Sequence, residues 1–219
     1  MRGETMLEVA TEQDAAVVST TPLEQTVAAA PRWSFSRAGA SERADVETFI
    51  RNGFERAYGC RLEQLMPELM VLRQGSKVAA ACGLRPASDG KLFLEVYLDD
   101  PVESVLSKAA GASIARGDIT EVGNLVIARP GHARRLIVHL SARLHARGCK
   151  WVVFSAVPAL RNSFLRIGIP LVTLAPADAD RLSAEERAPW GNYYDHSPVV
   201  TAVNVAAAFD AVCEAACTR

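Results

Sequence analysis

The chain has 219 residues, 49% hydrophobic and 22% charged, a length and balance that suit one soluble domain with room for a sizeable core. No apolar run approaches the roughly 20 residues a membrane-spanning helix needs, so none is expected. With 24 basic against 25 acidic side chains the net charge is −1, which gives nucleic acid no general attraction.

The first thirty residues carry Glu4, Glu8, Glu12 and Asp14, and no basic segment leads into an apolar one. That pattern shows no secretory signal, so a cytoplasmic protein is expected, with residues 1–30 as a mobile arm and 31–219 as a single domain. From Ser41, apolar Val46, Phe49, Ile50, Phe54 and Ala57 recur at helical spacing, with Ser41 as N-cap and Gly59 as terminator. Leu69–Leu72 and Val78–Leu84 read as a hairpin joined through Gln74-Gly75-Ser76-Lys77. After Asp89-Gly90, Leu92–Leu98 reads as a third strand, and Asp100-Pro101 opens a helix ending near Gly111.

Ile119–Ile127 is the central strand. Strict alternation puts Glu121, Gly123, Leu125 and Ile127 on one face and Val122, Asn124 and Val126 on the other, unless a bulge intervenes. Pro130-Gly131 ends it, and a helix from His132 to Arg147 follows, apolar at Ile137, Leu140 and Leu144 and basic at Arg135, His139 and Arg143. Trp151–Ala156 reads as a buried strand, Pro158 opens a helix that Gly168 and Pro170 close, and Leu171–Leu174 reads as a strand. Val199–Val205 and a helix to Cys217 finish the chain.

Five cysteines without a C-x-x-C pair read as reduced packing thiols, and His132, His139 and His145 are spaced too widely to share a metal; no metal is expected. The carboxylates are more informative. Glu121 on a central strand is either a base or amine anchor, or a structural partner of Arg116 or another arginine. Glu95, on what reads as the neighbouring strand, is the second carboxylate candidate. A helix start after Gly131 offers backbone donors to phosphate, and Gly131 presents backbone without a Cβ in the way; Arg134 and Arg135 sit on its first turns.

Central strand, glycine turn, helix, next strand and a short helix bearing Asn162 together resemble the GCN5-related N-acetyltransferase (GNAT) fold. That resemblance implies an α/β (α+β) domain, a central mixed sheet flanked by helices, in which splayed strands hold an acyl donor. Gly131-His132-Ala133 fits the GNAT phosphate-loop pattern, but Ala128 stands where Gln or Arg is usual. Four ordered segments, LEVYLDDPVE, EVGNLV, LRNSFLRIGIP and WGNYYDHSPVV, are similar to the thermostable hemolysin family, itself laid out like acyl-homoserine-lactone synthases.

The resemblance implies an acyltransferase moving an acyl group from acyl carrier protein or acyl-CoA to a small amine acceptor. No permanently bound cofactor is implied; the phosphopantetheine thioester is a co-substrate. Donor-binding candidates are Val126, Ile127, Gly131, Arg134, Arg135, Arg161 and Asn162. Tyr194, in a stretch that reads as a loop after Trp190-Gly191, is a candidate to protonate the leaving thiolate. The incomplete phosphate loop, beside a basic surface of Arg134, Arg135, Arg143, Arg147, Arg161 and Arg166, favours carrier protein as donor. The alternatives are a membrane-active hemolysin, using the Ala-rich arm or the C-terminal helix, and a non-catalytic binding domain.

Overall fold

A computed structural model describes residues 32–217; the expected arm over 1–30 lies outside the described residues. The elements in chain order are β1 (Trp33–Arg37), α1 (Arg43–Tyr58), β2 (Glu68–Gln74), β3 (Lys77–Pro86), α2 (Val102–Ala110), β4 (Ile119–Ile127), α3 (His132–Ala146), β5 (Trp151–Ala156), α4 (Pro158–Leu165), β6 (Val172–Pro176), the single turn α5 (Ala184–Arg187), β7 (Val199–Asn204) and α6 (Val205–Cys217). The strands form one sheet in the order β1-β2-β3-β4-β5-β7-β6. Every pairing is antiparallel except β4 with β5. This is the mixed sheet with flanking helices that the sequence predicts.

Side-chain pattern decides which face each helix covers. Leu136, Ile137, Leu140 and Leu144 form the buried stripe of α3, packed with residues of α4 and α6 on one face of the sheet. Burying a side chain of that size is worth about 1.5–3 kcal/mol, so this stripe is ample to dock the helix. On the other face α1 packs through Val46, Ile50 and Phe54, and α2 through Val102 and Leu106.

Two local expectations are corrected, and one strand is added. Leu92–Leu98 is not a strand: Phe93–Tyr97 is a 3-10 turn, because Glu95 reaches back to cap the Leu92 N–H (2.8 Å) and the next two N–H groups donate to Glu121. Ser41 does not cap α1; Glu42 holds the N-cap position with no side-chain bond to the helix start, while Gly59 terminates it as expected. A further strand, β1, precedes α1, with Trp33 and Phe35 packed against the core beneath α3.

The bulge alternative decides β4. Asn124 takes a left-handed backbone (φ 49°), and the β3–β4 register slips between Ala81↔Val126 and Gly83↔Gly123. Val126 therefore joins the α1 cluster, while Leu125 and Ile127 pack with Val122 toward α3. Asn124 holds the bulge by accepting the Met66 N–H at its Oδ1 (2.9 Å). Glycine at 83 is a packing requirement, since a Cβ there would come within 2.6 Å of the Met66 Cβ, whereas at 123 it would meet only the flexible end of Met66.

Candidate active site

β4 and β5 pair only at Ile119↔Trp151, Thr120↔Val152 and Glu121↔Val153. Past that point the bulge turns β4 aside, while β7 holds β5 as far as Ala156. The two strands part, and a cavity of about 1200 Å³ occupies the gap. It is lined from both faces of the sheet. Toward α3 and α6 its wall is apolar, with Leu136, Leu140, Leu144, Phe154, Phe164 and Val205; toward α1 it meets Phe54, Tyr58 and Met66.

Glu121 sits on the last paired rung, lines this cavity and is 3% exposed. Its Oε2 accepts the Phe93 N–H (3.1 Å) and its Oε1 the Leu94 N–H (3.0 Å), which fixes the carboxylate in place. Burial pushes its pKa above the ordinary carboxylate value; the two backbone donors and the nearby Arg85 guanidinium offset part of that rise. A fixed carboxylate with a raised pKa, open to a cavity, can hold an ammonium group and take its proton.

Glu95 belongs elsewhere. It lies in the 3-10 turn rather than on a neighbouring strand, and it is absent from the cavity wall. Arg116 donates to it twice (2.7 and 2.9 Å), Leu92 and Val102 donate their N–H groups, and Arg116 also reaches Glu103 (2.8 Å). The Arg116 bond lowers the pKa of Glu95 to about 2. Of the two readings of Glu121, the ion pair with Arg116 is thus taken by Glu95 and Glu103.

An aromatic wall closes the α1 side. The segment before β7 is pinned to the end of α1 by Asn192 N–H to Tyr58 O (2.9 Å) and Arg61 N–H to Pro189 O (2.7 Å). Gly191 is obligatory there, because its backbone is left-handed (φ 54°) and a Cβ would collide with Tyr58 O. Phe93, Tyr97, Trp190 and Tyr193 consequently line the cavity beside Glu121. Tyr194, in a 3-10 turn, stands behind them with its hydroxyl 2.5 Å from that of Tyr97, and burial raises both phenols above their ordinary value. Tyr97 was not singled out from sequence, although it lies within the LEVYLDD segment; only its juxtaposition with Glu121 marks it.

Of the donor-binding candidates, Val126, Ile127 and Asn162 line the cavity. Gly131 is exposed at the α3 start with ordinary helical φ (−64°) and is not part of the wall, although its neighbours Pro130 and Ala133 are. Arg135 lies over the Trp33 ring (4.5 Å), Arg134 donates to Ala215 O (3.1 Å) and Arg161 to Thr173 Oγ1 (3.2 Å). Arg147 is engaged by Glu68 in a two-pronged pair (2.6 and 2.9 Å). Arg143 and Arg166 are exposed, and Arg166 edges the cavity.

The sequence matches the model of the family described as thermostable hemolysin over residues 36–209. No curated protein matches it. Among solved structures, TofI in a ternary complex with an inhibitor and MTA is similar at 14% identity and TM-score 0.57, over 83% of this chain and 96% of that one. The acyl-homoserine-lactone (AHL) synthase LasI aligns at 8% identity and TM-score 0.55, over 80% and 91%. FeeM, an N-acyl amino acid synthase from uncultured soil microbes, aligns at 12% identity and TM-score 0.51, over 80% and 93%. These likenesses establish the GNAT-like fold.

Proposed function

This chain belongs to the thermostable hemolysin family, and from the cleft around Glu121 we propose that it is an acyltransferase. It takes an acyl group from the thioester of acyl carrier protein or CoA and passes it to a small amine. The observation that carries this reading is the buried, backbone-fixed carboxylate at the point where β4 and β5 part, facing a cavity whose other limb is apolar. The apolar limb receives the acyl tail. Glu121 receives a proton from the acceptor's ammonium group, and the freed amine attacks the thioester carbonyl carbon. A C–N bond forms, the C–S bond breaks, and the thiolate takes the second amine proton by way of the Tyr97–Tyr194 hydroxyl pair.

Carrier protein is the favoured donor. Support comes from Ala128 in the phosphate loop, from Gly131 lying outside the cavity wall, and from the contacts that engage Arg134 and Arg135. Exposed Arg143 and Arg166 offer an acidic carrier a landing surface. The reading places the enzyme in the cytoplasm, where such donors are made. LasI and FeeM, named as AHL and N-acyl amino acid synthases, share the fold, which supports acyl transfer but not the choice of donor.

No described helix is long and apolar enough to cross a membrane. The deciding experiment incubates purified protein with acyl carrier protein thioesters or acyl-CoA and a mixture of amines, following free thiol and new amide by mass spectrometry. Dye-loaded vesicles are run in parallel. Thiol and amide in equal amounts support acyl transfer; leakage without either product supports direct membrane action, and silence in both supports a binding domain.

A further inference from the structure

Arg85 is opposite Glu121 in the β3–β4 register, and both residues line the cavity. Directly opposed residues of an antiparallel pair project from the same face with Cβ atoms about 5 Å apart. Arg116, the other half-buried arginine of this region, is saturated by two carboxylates and two carbonyls. Arg85 forms no ion pair among the described residues, and its charge acts on Glu121. A third element flanks the two charges: the Phe93 ring, 40% exposed despite its size, packs against Trp190 (5.3 Å) and Tyr97 (6.0 Å).

We propose that the acceptor is a zwitterionic α-amino acid with an apolar or aromatic side chain, its carboxylate on Arg85, its ammonium on Glu121 and its side chain on the Phe93–Trp190 wall. This rests on the acyl-transfer reading and names the substrate class of the same site. Two opposite charges on neighbouring strands that form no ion pair with each other in this structure are bridged by a ligand carrying the complementary charges on adjacent carbons. A simple amine leaves Arg85 unanswered. Guanidinium matches a carboxylate with two parallel hydrogen bonds, which fixes the amine toward the thioester as well as adding affinity. The new C–N bond then forms at the α-nitrogen as C–S breaks, with one proton on Glu121 and one on the departing thiol.

The test compares L-phenylalanine, L-tyrosine and L-leucine with phenethylamine, tyramine and isoamylamine, the same molecules without the carboxylate. Wild type should prefer the amino acids in kcat/KM, and Arg85→Gln should reduce that preference by roughly 10- to 100-fold, with Arg85→Lys in between. Amines acylated as fast as amino acids, with a ratio indifferent to Arg85, would overturn the inference and leave acyl transfer intact. If no acceptor is acylated, the acyl-transfer reading fails, and calorimetric titration of L-phenylalanine and phenethylamine into both proteins decides the ligand class alone. Binding of the amino acid that depends on Arg85 supports it; equal or absent binding overturns it.

Discussion

Two carboxylates serve the same 3-10 turn and meet opposite fates. Glu95 caps the turn from within, where Arg116 and two backbone N–H groups saturate it; Glu121 caps it from the neighbouring sheet, with two N–H groups, no cation in contact and a cavity in front. The first is held far below the ordinary carboxylate pKa and the second is lifted above it. A carboxylate enclosed by a guanidinium stabilises the fold, whereas one fixed by backbone and left facing space is available to a ligand.

The contrast is sharpest in stability. Arg116→Met removes the cation from Glu95 and Glu103 together, so denaturant unfolding should show a loss of about 3–5 kcal/mol. Glu121→Gln removes a buried charge, but its amide NH2 cannot accept one of the two backbone N–H groups that Glu121 holds, so the net loss should be smaller, about 1–3 kcal/mol. Equal losses would erase the distinction.

Catalysis offers the next test. Tyr97→Phe and Tyr194→Phe should each slow acyl transfer about tenfold, and because the two hydroxyls share one proton path the double variant should be scarcely slower than either. Fully multiplicative losses, read from single-turnover rates, would separate their roles.

The pH dependence of stability should run in opposite directions at the two sites. Glu95, with a depressed folded pKa, contributes stability above its unfolded value that is lost as pH falls toward about 2. Glu121, with a raised one, contributes below its unfolded value and loses that contribution as pH rises through its folded value. The thermal-melting gap between wild type and Glu95→Gln should therefore narrow on acidification, while Glu121→Gln should gain relative to wild type toward neutral pH. The smallest effect concerns the donor: Arg143→Glu should slow association with acyl carrier protein a few-fold, more so at low salt, and leave acyl-CoA turnover unchanged.

Local periodicity made β2 to β7, α1, α3 and the buried Glu121 legible in the sequence, but not β1. What escaped was set by distant partners. Leu92, Leu94 and Leu98 alternate as a strand would, but the N–H groups of Phe93 and Leu94 are claimed by Glu121, 28 and 27 residues away. Asn124 signalled a bulge without fixing where it led, because its partner, the Met66 N–H, lies 58 residues earlier. The basic α3 stripe looked free for a carrier until Glu68 and Trp33, from strands β2 and β1, took Arg147 and Arg135. Arg85 and Tyr97 had no motif of their own and gained meaning only from what stands opposite them.

The most direct measurement is the acyl-transfer rate per folded molecule in Glu121→Gln and Glu95→Gln, assayed side by side with the same thioester and acceptor. A loss of roughly 100-fold or more in Glu121→Gln, with Glu95→Gln within about threefold of wild type once its lower stability is allowed for, is the predicted result. Undiminished transfer in Glu121→Gln, or an equal loss in both, would contradict the assignment of Glu121 as the group that takes the acceptor's proton.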